Sequence, residues 1–373
     1  MEKKYILALT KEPVDLSAFP EARVGPPGSP PPPSIGQVVL PRLARRLCEE
    51  FPEFEVLPGC NKEDFESKIE MTQKAEVLVL LDAPPALLEA VVPLCPRLQW
   101  VHSCLAGVEG LCGALQRLHA QVTTGQTTGP PRMQQQLLVT NARGVFSSAL
   151  KEYALAAMLH FAKQIPRLQQ QQQTCCWAPF VMAELRGSTV GFVGYGDIAK
   201  QIAGACKFLG MRCIALRRDA TKKCELLEAV YEAGSKDELE VYRQSDFVVC
   251  TLPATAATCC CITKAHFAAM KKTAVFISLG RGQVLDEEAL LQALRSGSIG
   301  GAALDVFQQE PLAAAAAVWS CPNLLLSPHN ADWLENYSSS SSTRVFLENL
   351  KCFLRGPRGP QDMSTPVDCS RGY

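Results

Sequence analysis

The run Val190-Gly191-Phe192-Val193-Gly194-Tyr195-Gly196-Asp197-Ile198-Ala199 constrains this chain more than any other, because an apolar strand, a glycine turn and a helix start follow without a gap. Gly194 suits a tight turn, Gly196 lets backbone N–H groups approach an anion closely, and small Ala199 stands where the helix must pack on the strand. The helix N-terminus then faces that anion, so the pattern reads as a pyrophosphate cradle. The glycine string alone is a weak signal, and an unliganded strand-turn-helix is the plain alternative. Its context is stronger: Ile198, Ile202, Ala205 and Leu209 continue at helical spacing until Gly210 ends the helix. Tyr195, Asp197 and Ile198 join the glycines as candidate cofactor contacts.

The next apolar run ends in Arg217 and Arg218, roughly 20 residues after the turn, where a ribose-binding Asp or Glu usually stands. A carboxylate there would accept from the ribose 2′-hydroxyl and repel a 2′-phosphate. Paired guanidiniums instead grip that phosphate through charge-assisted hydrogen bonds worth about 1.5 to 3 kcal/mol each. NADP(H) is therefore expected over NAD(H), which stays the second choice. Two solvated arginines, partly neutralised by Asp219, are the bland alternative.

With 373 residues, 47% of them hydrophobic, and a formal net charge of zero, the chain is long enough for two cores and carries no basic excess for nucleic acid or an anionic membrane. The richest apolar stretch, Ala75 to Cys95, is broken by Asp82, Pro84, Pro85, Glu89 and Pro93, so neither a signal peptide nor a spanning helix is expected. Seventeen cysteines lack the paired spacing of a zinc site or a disulfide framework and read as reduced thiols of a cytoplasmic protein. No metal is expected. A redox role for Cys259, Cys260 and Cys261 is a minor alternative.

From about Leu137 to His329 strands and helices alternate, which implies a doubly wound parallel α/β sheet of the Rossmann type. The expected strands are Val190 to Val193, Cys213 to Leu216, Phe247 to Cys250, Ala274 to Ser278, Ala302 to Val306 and Leu324 to Leu326. A helix from Ser147 to Ile165 precedes them, with Leu150, Ala154, Ala157, Met158 and Phe161 on its packing face. Lys4 to Thr10, Phe54 to Leu57, Ala75 to Leu81 and Gln99 to Ser103, with a helix from Ser34 to Glu49, read as a smaller α/β unit. The helical stretch Arg344 to Leu354 has nothing local to pack on. The expected division is 1–140 for the first part of a substrate domain, 141–330 for the dinucleotide domain and 331–373 returning to the first, with a cleft between. Pro30 to Pro33, Thr123 to Gln136, Gln169 to Gln173 and Ser338 to Ser342 read as loop expansions, and Ala313 to Ala317 as helix.

Residues at the carboxyl ends of the strands, where open α/β sheets bind ligands, carry the candidate chemistry. Leu279 and Gly280 join the cofactor contacts there. Arg281 offers a planar fork for the oxygens of a 2-oxo acid, His329 exchanges a proton near neutral pH, and Glu310 orients the imidazole and favours its protonated form. Each has a plain reading alone: a turn arginine, a solvated loop acid, a satisfied loop histidine. Of the other histidines, His102 lies near the expected cleft and keeps a small claim, whereas His119, His160 and His266 have none.

Five segments in order, Gly194 to Ala199, Thr251-Leu252-Pro253, Phe276 to Asp286, Leu304 to Leu312 and Leu326 to Ala331, resemble the D-isomer-specific 2-hydroxyacid dehydrogenases over nearly the whole chain. Ala106-Gly107-Val108 and the end Pro366 to Tyr373 resemble the family too. The resemblance implies a flavodoxin-like substrate domain and Arg281, Glu310 and His329 as the catalytic set. It also implies Asp305 near the nicotinamide carboxamide, Leu252 and Pro253 lining the adenosine groove, and Thr258 by the phosphates. Ala106, Gly107 and Val108, with Arg281, would bind the substrate carboxylate in a homodimeric enzyme. Within the family the arginine pair resembles NADP-preferring glyoxylate and hydroxypyruvate reductases. The competing class is a nucleotide-sensing corepressor-like protein, which retains the same trio but resembles NAD binders. A phosphoglycerate dehydrogenase-type enzyme is the second enzymatic alternative, although such enzymes often carry further regulatory domains, for which no length is expected after Tyr373. Formate enzymes resemble this pattern less, with Gln in place of Glu310.

Overall fold

The computed structural model describes residues 3–17, 33–131, 133, 137–222, 224–333, 339–357 and 359–372. Met1, Glu2, Pro30 to Pro32, Gln134 to Gln136, Ser338 and Tyr373, which figure in the sequence readings, lie outside them. The chain divides into two compact units, Met1–Val145 with Trp333–Tyr373, and Phe146–Asp332.

The first unit holds β1 (Lys4–Leu9), β2 (Phe54–Gly59), β3 (Val77–Leu80), β4 (Trp100–Ser103) and β5 (Leu138–Thr140), all parallel in the order β2-β1-β3-β4-β5. This is the flavodoxin-like order. The strands are short apolar runs buried along their length, as a sheet covered on both faces demands; β3 reads Val-Leu-Val-Leu with every residue buried. Ser34 caps helix Ile35–Glu50 reciprocally with Gln37. Helix Ser339–Leu354 belongs to the same unit, where Phe346 stacks on Trp100 with ring centroids 5.3 Å apart and Lys351 pairs with Glu50 at 3.1 Å. Beyond it, Thr365 donates to the Asn141 carbonyl at 2.6 Å and the Val367 amide to the Val139 carbonyl at 3.0 Å.

The second unit contains β6 (Thr189–Val193), β7 (Arg212–Arg217), β8 (Ala229–Glu232), β9 (Phe247–Cys250), β10 (Val275–Ser278), β11 (Gly301–Leu304) and β12 (Leu324–Leu326). They form one parallel sheet ordered β12-β11-β10-β9-β6-β7-β8. Chain order reverses between β6 and β9, so the topological switch point opens at the glycine turn after β6.

Several expectations are corrected. β5 and β8 are additional strands: each is only three or four residues long, and β8 is a half-buried edge without a clear apolar alternation. β11 stops at Leu304, which leaves Asp305 and Val306 in the loop beyond it. The helix expected from Ser147 to Ile165 ends at Ala162, and a second, unexpected helix, Ile165–Gln173, follows Gln164, whose φ is +50°. Gln169 to Gln173 is therefore helical, and so is Ser339 to Ser342. Tertiary packing overrides the loop-like composition of the serines, since the same helix buries Val345, Phe346 and Leu350. The alanine tract goes the other way: only Ala317 joins a single 3₁₀ turn, Ala317–Ser320, which the buried Val318 anchors. Helix Asp197–Phe208 packs through Ala199, Ile202, Ala203 and Cys206, one position off the stripe Ile198, Ile202, Ala205 and Leu209.

After helix Ile165–Gln173 the chain runs as an arm in which Trp177 is 95% and Val181 89% exposed. The arm is held to its own unit by Gln164 donating to the Val181 carbonyl at 3.0 Å and Lys163 to the Ala183 carbonyl at 2.8 Å.

Candidate active site

Gly194 has φ +83°, the left-handed conformation that the tight turn requires, and a Cβ there would lie 2.7 Å from Leu252 Cδ2. Thr251, just past β9, donates to the Gly194 carbonyl at 3.1 Å and ties the two strand ends together. At Gly196 an added Cβ would meet nothing of the protein within 4 Å. Space is thus left open at the N-terminus of helix Asp197–Phe208, where unpaired amides favour an anion. Ala199 is fully buried behind it. Asp197 accepts a short hydrogen bond from Ser147, which joins this helix start to helix Ser147–Ala162.

Arg217 and Arg218 sit at the end of β7. The Arg217 guanidinium lies 5.6 Å from the centre of the Tyr195 ring, within cation–π range, and donates to the Lys222 carbonyl at 2.8 Å. Asp219, which sequence reading set against the arginines, accepts from the Thr221 amide at 3.1 Å and pairs with Lys222 at 3.5 Å. Thr258 donates to the Pro253 carbonyl at 2.6 Å and accepts from the Thr255 amide at 2.8 Å, so its single proton shapes its own loop rather than facing a ligand.

Two glycines explain the setting of Arg281. A Cβ on Gly280 would lie 2.3 Å from the Leu252 carbonyl oxygen, and one on Gly282 would lie 1.9 Å from the Phe307 carbonyl carbon. Backbone therefore packs on backbone on both sides of the arginine, which wedges its turn between the loop after β9 and the loop after β11. The Phe307 amide in turn donates to Glu310 Oε1 at 2.8 Å, so the arginine turn and the glutamate share one foundation. Arg281 itself donates to the Gly280 carbonyl at 3.0 Å.

Glu310 Oε2 meets His329 Nδ1 at 2.6 Å. A carboxylate has only acceptors to offer, so the shared proton is the imidazole Nδ1–H and Nε2 is left to exchange a proton with a ligand. The histidine side chain is 41% exposed, open to such a ligand, and its backbone has φ +50°. Asp305 steadies this left-handed position. Its carboxylate is buried, and Oδ1 accepts from Ser327 Oγ at 2.6 Å, the Asn330 amide at 3.0 Å and the Ala331 amide at 3.1 Å, which flank His329 on both sides. Burial pushes its carboxyl above the ordinary carboxylate value against the pull of those donors and of His329. Tyr153, on helix Ser147–Ala162, reaches Ser327 at 2.7 Å. Asp332 lies within electrostatic reach of His329, Asp305 and Arg281, and burial raises its carboxyl as well. Sequence reading missed Tyr153 and Asp332; the only signal for the latter was an acid three residues past the histidine.

Ala106, Gly107 and Val108 belong to the other unit. They follow β4, where Asn141 Nδ2 donates to the Ala106 carbonyl at 2.8 Å and buried Val108 precedes helix Glu109–Thr123. His102 loses its small claim. It is fully buried beneath Phe346, its Nδ1 lies 2.7 Å from Thr140 Oγ1, and burial drives its pKa down to about 3, so it is a neutral core residue. Among the described residues no group of His, Cys, Asp and Glu side chains could hold a metal, and no helix is long and apolar enough to cross a membrane.

Comparison with known proteins matches residues 155–331 to the family profile described as D-isomer specific 2-hydroxyacid dehydrogenase, NAD binding domain. The chain is 34% identical over 245 residues to a glyoxylate reductase of Aeropyrum pernix, covering 62% of this chain and 70% of that one. It is 28% identical over 325 residues to a D-3-phosphoglycerate dehydrogenase of Methanocaldococcus jannaschii, covering 87% of this chain and 57% of the relative. Among solved structures, a D-isomer specific 2-hydroxyacid dehydrogenase family protein from Aeromonas salmonicida superposes with TM-score 0.73 at 25% identity, covering 99% and 100% of the two chains. An NADPH-dependent glyoxylate/hydroxypyruvate reductase from Sinorhizobium meliloti, solved with NADP and sulfate, shares the fold with TM-score 0.72 at 21% identity over the full length of both.

Proposed function

Since the chain belongs to the D-isomer-specific 2-hydroxyacid dehydrogenases, a family of oxidoreductases, we propose that it reduces a small 2-oxo acid, glyoxylate or hydroxypyruvate, to the D-2-hydroxy acid with NADPH as preferred reductant. The observation that carries this reading is the 2.6 Å contact between Glu310 and His329, made on the same foundation as the Arg281 turn.

The residues present fit a nicotinamide dinucleotide. The open space at Gly196 suits the pyrophosphate, and Arg217, seated on Tyr195, suits a 2′-phosphate, with Arg218 beside it. The bonds to Asp305 converge on Oδ1, so Oδ2 is available to a carboxamide N–H. When bound, the cofactor supplies the hydride that reduces C2 of the substrate.

Arg281 holds the carboxylate and carbonyl oxygens in its planar fork, polarising the carbonyl as negative charge develops on its oxygen. His329 delivers the Nε2 proton to that oxygen, and Glu310 stabilises the imidazolium before transfer and keeps the remaining proton on Nδ1 afterwards. Ala106, Gly107 and Val108 are proposed to hold the substrate carboxylate through backbone amides. Leu252, Pro253, Leu279 and Gly280 are proposed to line the cofactor groove.

The exposed arm around Trp177 and Val181 supports a homodimer formed through the dinucleotide units, since large apolar side chains this exposed mark an interaction surface. The seventeen cysteines, all free thiols, suit a reducing cytoplasmic setting.

The test is a spectrophotometric screen of glyoxylate, hydroxypyruvate, pyruvate and phenylpyruvate with NADPH and NADH, and of 3-phosphoglycerate with NAD⁺. Reduction of the first two with NADPH is expected, with a loss of at least about 100-fold in kcat for His329→Ala. Undiminished turnover in His329→Ala would refute the assigned acid, and preferred oxidation of 3-phosphoglycerate would refute the substrate class.

A further inference from the structure

We propose that Tyr153 is a positioning residue for His329, acting through a one-way hydrogen-bond chain in which its hydroxyl donates to Ser327, Ser327 donates to Asp305, and Asp305 holds the backbone on the far side of the histidine. The inference rests on the reading of His329 as the proton donor and extends it to a residue on a different element.

The direction follows from counting protons. The Asp305 carboxylate can only accept, so the 2.6 Å contact to Ser327 uses the one proton that the serine hydroxyl carries. The 2.7 Å contact between Ser327 and Tyr153 must then be donated by the phenol. Burial and the nearby Asp305 charge both raise the phenol above its ordinary value, which keeps that proton in place.

The chain ends where a fixed geometry matters most. His329 occupies a left-handed backbone position, with φ +50°, that a β-carbon disfavours. Two flanks hold it there: the serine hydroxyl two residues before, and the Asn330 and Ala331 amides after, all on Asp305 Oδ1. If the serine hydroxyl swings away, the preceding flank loses its side-chain anchor. Tyr153 prevents that swing by donating to the serine oxygen from helix Ser147–Ala162, the helix that also ties to Asp197 at the start of the dinucleotide helix. The loop carrying the acid is thereby referenced to the element that positions the cofactor site.

The experiment compares Tyr153→Phe, Ser327→Ala, Ser327→Thr and the Tyr153→Phe/Ser327→Ala double variant. Steady-state kinetics are combined with ¹⁵N NMR of the His329 imidazole in the cofactor-free protein. Tyr153→Phe is expected to lower kcat about 3- to 10-fold, the size of one lost hydrogen bond, with KM for NADPH unchanged within about 2-fold. It should also shift or broaden the His329 ring signals. Ser327→Thr keeps the hydroxyl and should restore what Ser327→Ala loses. The double variant should be no worse than Ser327→Ala alone, because both changes cut one chain. Parental kcat and His329 signals in Tyr153→Phe, or additive losses in the double variant, would overturn the proposal. A parent without turnover on any 2-oxo acid whose His329 signals still respond to Tyr153→Phe would sink the functional reading and leave the positioning role standing. Turnover with unresponsive signals would do the reverse.

Discussion

Gly282→Ala puts the interlocked construction of the site to a direct test. The new Cβ would stand 1.9 Å from the Phe307 carbonyl carbon, 2.0 Å from its oxygen and 2.5 Å from the Gln308 nitrogen. All three are backbone atoms, so no rotamer change relieves the overlap, and restoring ordinary contact at 3.4 Å needs a displacement of about 1.5 Å. The displacement must fall on the Arg281 turn or on the Phe307 backbone that anchors Glu310, and either one shifts the Arg281 turn relative to the Glu310–His329 pair. Overpacking of this kind costs about 1 to 3 kcal/mol, a fall of roughly 3 to 10 °C in Tm. A misplacement of about 1 Å at the chemistry costs on the order of 100-fold in kcat/KM. Gly297→Ala is the control: φ is +66° with nothing within 4 Å, so it should lose about 1 kcal/mol and keep its activity. Thermal melts and steady-state NADPH oxidation would measure both variants. A Gly282→Ala protein with parental kcat/KM and Tm would refute the claim that backbone contact across this glycine sets the arginine.

Three further outcomes are expected. Replacing Arg217 and Arg218 by Ser should raise KM for NADPH about 10- to 100-fold and leave KM for NADH within about 2-fold, as fits the loss of charge-assisted bonds to a 2′-phosphate; paired NADPH and NADH kinetics check it. Asp305→Asn keeps the Oδ1 acceptor but removes a buried charge. Because burial raises the folded-state value of Asp305, its stability contribution is fully present below the unfolded carboxylate value and is lost as pH rises through the folded one. Asp305→Asn should therefore melt above the parent at neutral pH, and the difference should vanish on acidification to about pH 4, near the unfolded value. Melting curves across that range decide it. On the proposed dimer, Trp177→Ser with Val181→Ser should shift sedimentation velocity toward the monomer with little change in the monomer's fold, since both side chains are exposed within their own unit.

Much of the architecture was legible in local pattern. The alternation of apolar runs with helical periods announces a parallel sheet, because a strand buried on both faces must be apolar throughout and each crossover needs a helix. The edge strand β8 and three-residue β5 were not legible, since neither carries enough apolar positions for a period to register. Gln169 to Gln173 and Ser339 to Ser342 fold as helix against their composition, and the alanines after Pro311 do not, because neighbouring packing outweighs propensities of a few tenths of a kcal/mol. The chemical types at the site were readable as residues that follow strands. The purpose of the glycines around Arg281 was not, because it lies in contacts with Leu252 and Phe307, far off in sequence. Nor was Tyr153, which looks like any helix residue until its hydroxyl is found on Ser327.

Sequence alone determined the order of the longer apolar strands, the glycine turn at the head of a helix, and a histidine, a glutamate and an arginine each stationed beyond a strand. These are short-range properties, set by backbone sterics and by the spacing of apolar side chains over a few residues. Tertiary structure alone decided which strand ends lie side by side, that Glu310 and His329 meet, and that one oxygen of Asp305 holds both sides of the histidine. Those contacts join segments that no local period links, so they exist only once the sheet has brought the strand ends together.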